Sequence, residues 1–290
     1  VSLDGFVVID KAAGCTSHDV VGRARRQLGT RRVGHAGTLD PDATGVLVLG
    51  IGVATRLLRF AVETSKVYLA EIALGSTTTT LDASGEVTGR YEMSGVTLED
   101  ARRAASSLTG RISQVPPMVS ARKVGGRRLY QLAREGIEVE REPRLVEVTR
   151  FELSESGRPG ILRAEVECSA GTYVRSLAAD LGTALGGGAH LTSLRRVAVG
   201  PWEVAGAIAI EELTPERVRP PAELLAHLAQ VQVGAELAAL VAVGRVLARS
   251  AVAVDGDGPF AVCDTTGSLL AVYESLGPDQ VKPAVVLARH

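Results

Sequence analysis

The chain holds only three cysteines, Cys15, Cys168 and Cys263, far apart and without a CxxC or a histidine pair. An odd, scattered set of this kind argues against a disulfide framework and against a structural zinc, and leaves three reduced thiols as the expectation. Long apolar runs are missing too: no stretch approaches the eighteen or so residues of a membrane-crossing helix. The opening VSLDGFVVIDKAAG is interrupted by Asp4, Asp10 and Lys11, so nothing in it supports a secretory leader, and the cytoplasm is the expected compartment. The glycines include no GxxxxGKS or GxxxxGKT run and no neighbouring acidic cluster, which removes the P-loop route to phosphoryl transfer. Positive charge is not in excess either, since 32 Lys and Arg face 33 Asp and Glu. That balance weighs against phosphate binding until its distribution is considered. Basic residues gather in 23–32, in 122–144 and at Arg195 and Arg196, whereas acids prevail after Glu203. A basic body with an acidic tail remains compatible with RNA.

At 290 residues, a large domain with a smaller companion is the natural division. GFVVID reads as a buried strand, after which Thr16 or Ser17 caps a helix whose apolar face is Val20, Val21, Ala24 and Leu28. A loop rich in glycine, threonine and proline, RRVGHAGTLDPDATG, then runs into the apolar strand VLVLG and a short helix over 53–60. Residues 67–74 alternate as a strand, and Thr97 with Asp100 forms a capping box before the next helix. Clean periodicity is lost over 111–144, which suggests a long excursion from the core with some helix near 129–134. Strands return at 145–153 and 162–168. A helix expected to be capped by Thr172 follows, with Arg175 off its apolar stripe and free to point into a cleft. Strands separated by irregular helices, without repeated βαβ units, predict an α+β fold around a mixed, largely antiparallel sheet. The run LTPERVRPPAELL reads as a boundary, placing one domain at 1–225 and a compact β-rich piece at 231–290.

Asp40 stands just before a buried strand, stiffened by Pro41 and surrounded by Gly34, Gly37 and Gly45, which is suitable geometry for a fixed carboxylate. Taken alone, an Asp-Pro pair is ordinarily a turn. The longer string GHAGTLDPDATGVLVLGIGVATRL, however, resembles the catalytic motif of the TruB family of tRNA pseudouridine(55) synthases. The resemblance continues through VIDKAAGCTSHDVV, KVYLAEIALGSTTTTLDASG, VPPMVSARKVGGRRLYQLAREGIEV, CSAGTYVRSLAADLG and GAHLTSLRRVAVG, covering about the first 200 residues. Ala12 stands where the family usually has proline, and Thr77 and Thr79 where it usually has charge.

The resemblance implies a pseudouridine synthase fold with a small C-terminal β-rich domain of the PUA type, no cofactor and no metal. It assigns Asp40 as the catalytic carboxylate and Arg175 as the partner that holds it by a charge-assisted bond and keeps its pKa low. Tyr68 resembles the tyrosine that stacks on the target uracil and shares in C5 deprotonation, Leu194 covers the other side of the base, and Tyr173 packs beneath the site. His35 matches the histidine that fills the gap left by the flipped nucleotide. Lys11, Lys123, Arg127 and Arg128 are candidate phosphate contacts, the last three with Tyr130 in an RNA-gripping segment over 111–144. The expected partner is tRNA, through its T-arm stem-loop, with no membrane and no obligatory protein partner for a monomeric, stand-alone enzyme. The guide-RNA-dependent relatives carry long basic extensions that this chain lacks. The competing reading is a catalytically silent RNA-binding protein using the same basic surfaces, which would not need Asp40, Tyr68 and Arg175 together.

Overall fold

The computed structural model describes residues 3–287 except 121–122, 125, 130–131, 133–134, 136 and 138. Arg122, Tyr130 and Arg134 therefore lie outside the described residues, as do the side chains of Lys123 and Arg128. Strands of the larger, N-terminal body are β1 (Gly5–Lys11), β2 (Val33–Ala36), β3 (Thr44–Ile51), β4 (Lys66–Leu74), β5 (Ser76–Thr78), β6 (Val87–Arg90) and β7 (Gly110–Gln114). The short β8 (Lys123–Val124) and β9 (Arg127–Arg128) pair with each other, and β10 (Arg144–Glu155), β11 (Ile161–Cys168), β12 (Ala189–Val199) and β13 (Trp202–Glu203) complete the set. Nine strands form one sheet, ordered β1-β3-β12-β4-β11-β10-β7, with β2 on β3 and β13 on β12. Every pairing in it is antiparallel except β12 against β3, so the mixed, largely antiparallel expectation holds.

Helix α1 (Ser17–Gln27) starts at the expected cap: Thr16 Oγ1 accepts from the Asp19 amide at 3.1 Å and Asp19 Oδ2 accepts from the Thr16 amide at 2.8 Å. The helix over 53–60 is split into a 3-10 turn at Gly52–Arg56 and α2 (Leu58–Val62). Helix α3 (Leu98–Ser107) carries the capping box of Thr97 and Asp100, and α4 (Val174–Ala184) begins one residue beyond Tyr173. Thr172 is not its cap. Gln114 of β7 instead fixes the residue that precedes the helix, accepting from the Tyr173 amide at 2.8 Å and donating to the Tyr173 carbonyl at 3.1 Å. Both α3 and α4 cover one face of the sheet, sealing Ile72, Val148, Leu153 and Val166 against Ala101, Ala105, Leu177 and Leu181.

Two expectations change. Residues 110–114 are an edge strand on β10 rather than the start of the excursion. Strand β12, unassigned from the sequence, is the hub that joins β3 to β4; register shifts at Leu191/Ser193 and Arg196/Ala198 break the alternation that marks a strand. The C-terminal strands Ala229–Val233, Phe260–Asp264, Leu269–Leu276, Gln280–Val286 and Leu247–Ala248 form a separate five-stranded sheet, so the β-rich tail is present. The segment before it is no free linker: Arg219 bonds back to Phe6 of β1 in both directions, and Leu224 and Leu225 are fully buried.

Candidate active site

The turn holding Asp40 is fixed from three sides. Ser17 Oγ accepts from the Leu39 amide at 2.9 Å, the Gly14 amide donates to the Pro41 carbonyl at 3.0 Å, and the Ala43 amide donates to the Asp40 carbonyl at 3.1 Å. Lys11, expected at a phosphate, is 1% exposed, and its ammonium donates to the carbonyls of Ala12, Cys15 and Pro41 at 2.9, 2.7 and 2.9 Å. That expectation is corrected: all three donors are spent on backbone, and the side chain is a strut between β1 and the Asp40 turn. Gly45, with φ +102°, is the second residue of β3, and a Cβ there would lie 2.1 Å from the Arg196 carbonyl. Only glycine allows β3 and β12 to meet at this point.

Across the cavity, α4 presents Arg175, 4% exposed, as a fork on the carboxylate: Nε lies 3.0 Å from Asp40 Oδ2, and Nη2 donates to Oδ1 at 3.1 Å. The guanidinium also donates to the Thr80 and Val119 carbonyls at 2.9 and 2.7 Å, with Asp82 Oδ2 at 3.6 Å. Five contacts on one buried group leave it little freedom, so Asp40 inherits its position from α4. Burial is the largest influence on the Asp40 carboxyl and pushes its pKa above the usual value; Arg175 pulls it down, and Asp82 adds to the rise. The expectation that Arg175 dominates and lowers the pKa therefore gives way to desolvation. The side chain keeps 39% of its surface open at the cavity mouth, and a two-armed arginine favours the ionised form.

The cavity, of about 240 Å³, is lined by Asp40, Tyr68, Tyr173, Arg175 and Leu194 together with Lys66, Ser120 and Arg196. Alternation along β4 turns Lys66, Tyr68, Ala70 and Ile72 inward. Tyr68 sits opposite Arg196 of β12 in the strand register and is 9% exposed. Burial raises the phenol above its ordinary pKa, and the Arg196 guanidinium beside it acts in the opposite sense. Arg196, 1% exposed, donates from Nε to the Val46 carbonyl at 2.8 Å and from Nη2 to the Gly37 carbonyl at 3.1 Å. Lys66 donates to the Val62 and Thr64 carbonyls, and burial together with Arg196 brings it down to about 8. The Cys168 thiol nearby is pushed up to about 11 by burial, so it is not a thiolate nucleophile.

Sequence reasoning missed Lys66, Asp82, Gln114, Ser120 and Arg196. Period-two reading of KVYLA was enough to find Lys66 on the inward face with Tyr68. Arg196 was counted with Arg195 as surface charge; instead it is interior, and Arg195 forks onto Asp10 at 3.0 and 2.7 Å. His35 lies on β2 opposite Leu49, two residues before the cavity-lining Gly37. Of the basic residues in the excursion, Arg127 pairs with Glu135, both about half exposed.

Fold and site together define a pseudouridine synthase body: a mixed α+β sheet with an arginine-clamped aspartate facing a tyrosine and a leucine across a base-sized cavity. The chain in the structure named "Crystal Structure of a Cbf5-Nop10-Gar1 Complex" shares this fold with a TM-score of 0.76 at 24% identity, covering 98% of this chain and 84% of that one. Residues 25–174 match the model described as TruB family pseudouridylate synthase (N terminal domain), and 175–231 match the tRNA pseudouridylate synthase B C-terminal domain. The chain belongs to the TruB family. A protein of Mycobacterium bovis (strain BCG / Pasteur 1173P2) named tRNA pseudouridine synthase B is 48% identical over 94% of this chain and 92% of its own length. Proteins of the same name from Rhodococcus jostii (strain RHA1) and Arthrobacter sp. (strain FB24) are 48% and 45% identical, over 94% and 99% of this chain and 90% and 97% of theirs.

Proposed function

We propose that the chain isomerises uridine to pseudouridine in tRNA, at position 55 of the T-loop, with Asp40 as its catalytic carboxylate. The observation that carries this reading is the two-armed Asp40–Arg175 pair at the mouth of a cavity also lined by Tyr68 and Leu194. In the isomerisation the C1′–N1 bond breaks, a C1′–C5 bond forms, the C5 proton leaves and N1 takes a proton. Atoms and electrons balance within the nucleotide, so the reaction calls for no redox partner, group donor or metal. Asp40, held ionised by the guanidinium, serves as nucleophile or charge stabiliser. A folded T-loop hides its uridine, so the nucleotide flips into the cavity and its ring lies between Tyr68 and Leu194, with Tyr173 beneath. His35, outside the cavity on the adjoining strand, fills the vacated place in the RNA.

The 1–225 portion acts as the catalytic domain, the excursion after β7, over 115–144, grips RNA through Lys123, Arg127 and Arg128, and 231–290 serves as a PUA-like contact to the rest of the tRNA. The protein works as a cytoplasmic monomer without an obligatory partner; among the described residues no helix is long and apolar enough to cross a membrane. To test the reading, purified protein is incubated with unmodified tRNA, pseudouridine is mapped by chemical probing, and the assay is repeated with Asp40→Asn. Wild-type conversion at one T-loop uridine, lost in the variant, is expected; conversion by Asp40→Asn within tenfold of wild type overturns the assignment.

A further inference from the structure

Ser120 is 5% exposed, lines the cavity, and its Oγ has no hydrogen-bond partner among the described residues. A buried hydroxyl without a partner is destabilising, and native proteins rarely keep one unless something completes it. The other orphan hydroxyl on the cavity wall, Thr172 Oγ1, has the Cys168 thiol beside it, whereas none of the described residues bonds Ser120 Oγ.

The position of Ser120 is fixed by its neighbours. The Ser120 amide donates to the Met118 carbonyl at 3.1 Å, closing a tight turn. The preceding Val119 carbonyl accepts from Arg175 Nη2 at 2.7 Å, and the same nitrogen donates to Asp40 Oδ1 at 3.1 Å. Ser120 thus follows directly on the carbonyl that shares a nitrogen with the catalytic carboxylate, which puts it on the Asp40 wall of the cavity.

Given the proposed isomerisation, on which this step rests, the ribose must approach that wall. Whether the carboxylate meets C1′ or C6, C1′ is at most two bonds from the contact. The 2′-hydroxyl is on the adjacent carbon, while the N3 and O4 edge of the base points away from it. We infer that Ser120 Oγ hydrogen-bonds the 2′-hydroxyl of the flipped target nucleotide, so that Ser120 is a substrate-contacting residue that reads ribose at that position. Two hydroxyls, each donor and acceptor, are matched partners, and the 2′-hydroxyl is the group that separates RNA from DNA.

The experiment measures affinity in an Asp40→Asn background, so that the RNA is not converted, for a T-arm stem-loop carrying uridine or 2′-deoxyuridine at the target. With Ser120 present, the deoxy substitution is expected to weaken binding about five- to thirtyfold, the worth of one buried hydrogen bond. With Ser120→Ala added, the two RNAs are expected to bind alike within about twofold. In the protein with Asp40 intact, Ser120→Ala lowers kcat/KM by about tenfold or more while leaving the melting temperature unchanged or raised, because an unpaired hydroxyl contributes nothing to the free fold. A deoxy penalty that persists undiminished in Ser120→Ala overturns the inference, as does a fall in melting temperature accompanying the kinetic loss. Wild-type activity separates the levels: no conversion by wild type defeats the functional reading itself. Normal conversion with Ser120→Ala within twofold of it defeats only the ribose contact.

Discussion

Replacing Arg175 by lysine keeps the charge and removes the geometry. The arginine meets both oxygens of Asp40 at 3.0 and 3.1 Å and the carbonyls of Thr80 and Val119 at 2.9 and 2.7 Å. A lysine is a point donor on a flexible stem and cannot span the carboxylate and both carbonyls. One charge-assisted arm is lost, at about 1.5–3 kcal/mol, and at least one part-buried carbonyl is orphaned, at about 1–3 kcal/mol, so about 2.5–6 kcal/mol is removed from the site before screening. Solvent screens part of this loss, because the Asp40 side chain is 39% open although Arg175 is 4% exposed. Part of it appears in stability, and part as a misplaced carboxylate; about 1 Å of misplacement costs about a hundredfold in rate. Single-turnover conversion of a tRNA transcript by Arg175→Lys is therefore expected about a hundredfold slower than wild type, with affinity nearly intact. Burial raises Asp40 and Arg175 opposes that rise, so weakening the arginine moves the carboxyl further up. Since the ionised form is required, the acidic limb of the pH–rate profile shifts to higher pH in the variant. A rate within tenfold of wild type, or an unmoved acidic limb, would refute this account of the pair.

Asp40→Asn should abolish turnover. The carboxyl is raised in the fold, so it contributes stability below its unfolded value of 3.8 that is lost as pH rises through the folded one, and wild type should lose melting temperature relative to the variant over that rise. Wild type gaining on the variant across the same window contradicts that sign. Lys66 runs the other way: lowered from 10.5 to about 8, it makes the fold relatively more stable as pH rises across that interval. Thermal unfolding of Lys66→Met and wild type from pH 7 to 10.5 should show wild type gaining on the variant, and parallel curves would count against a buried cation there. Gly45→Ala, which forces a Cβ to 2.1 Å from the Arg196 carbonyl at φ +102°, should cost about 3 kcal/mol or more in denaturant unfolding. A loss under 1 kcal/mol would mean that β3 and β12 do not meet as described.

Local elements were legible wherever one short-range rule governed them. The capping boxes at Thr16 and Thr97 and the alternation of β4 and β11 could be read directly, because caps and strand faces depend on neighbours three or two residues away. Asp40 and Arg175 were legible only as members of longer motifs, since their 135-residue separation hides a 3.0 Å contact from any local pattern. What stayed hidden depended on tertiary burial: Lys11 is expected at a phosphate and Arg196 among surface charge, yet each is 1% exposed. Cations of this kind are held inside by backbone carbonyls that only the fold brings together, and composition carries no trace of them.

The same limit applies to the C-terminal sheet, which the sequence presents as an appendage behind a proline-rich linker. In the structure its Ala261, Val272, Val285 and Leu287 belong to one apolar cluster with Phe6, Val46, Val48, Phe60, Trp202, Leu224 and Leu225. Arg56 and Arg59 add hydrogen bonds to the Val286 and Ala284 carbonyls at 2.6 and 3.0 Å. Val46 and Val48 lie on β3, the strand that leaves the Asp40 turn, so the sheet supports the strand that carries the site. Ending the chain at residue 228 would uncover several of these side chains at once, at about 1.5–3 kcal/mol for each large one, against a total stability of about 5–15 kcal/mol. The truncated protein should be insoluble or loosely packed rather than merely weaker for tRNA. Trp202 reports on this directly, being the only tryptophan in the sequence, 5% exposed and packed edge-on against Phe6 and His227. Its emission should move to the red in the truncated chain under native conditions, with loss of the cooperative unfolding transition. A soluble truncation with blue-shifted tryptophan emission, a sharp unfolding transition and stem-loop activity would show that the first domain is complete at residue 228 and that the shared cluster is dispensable.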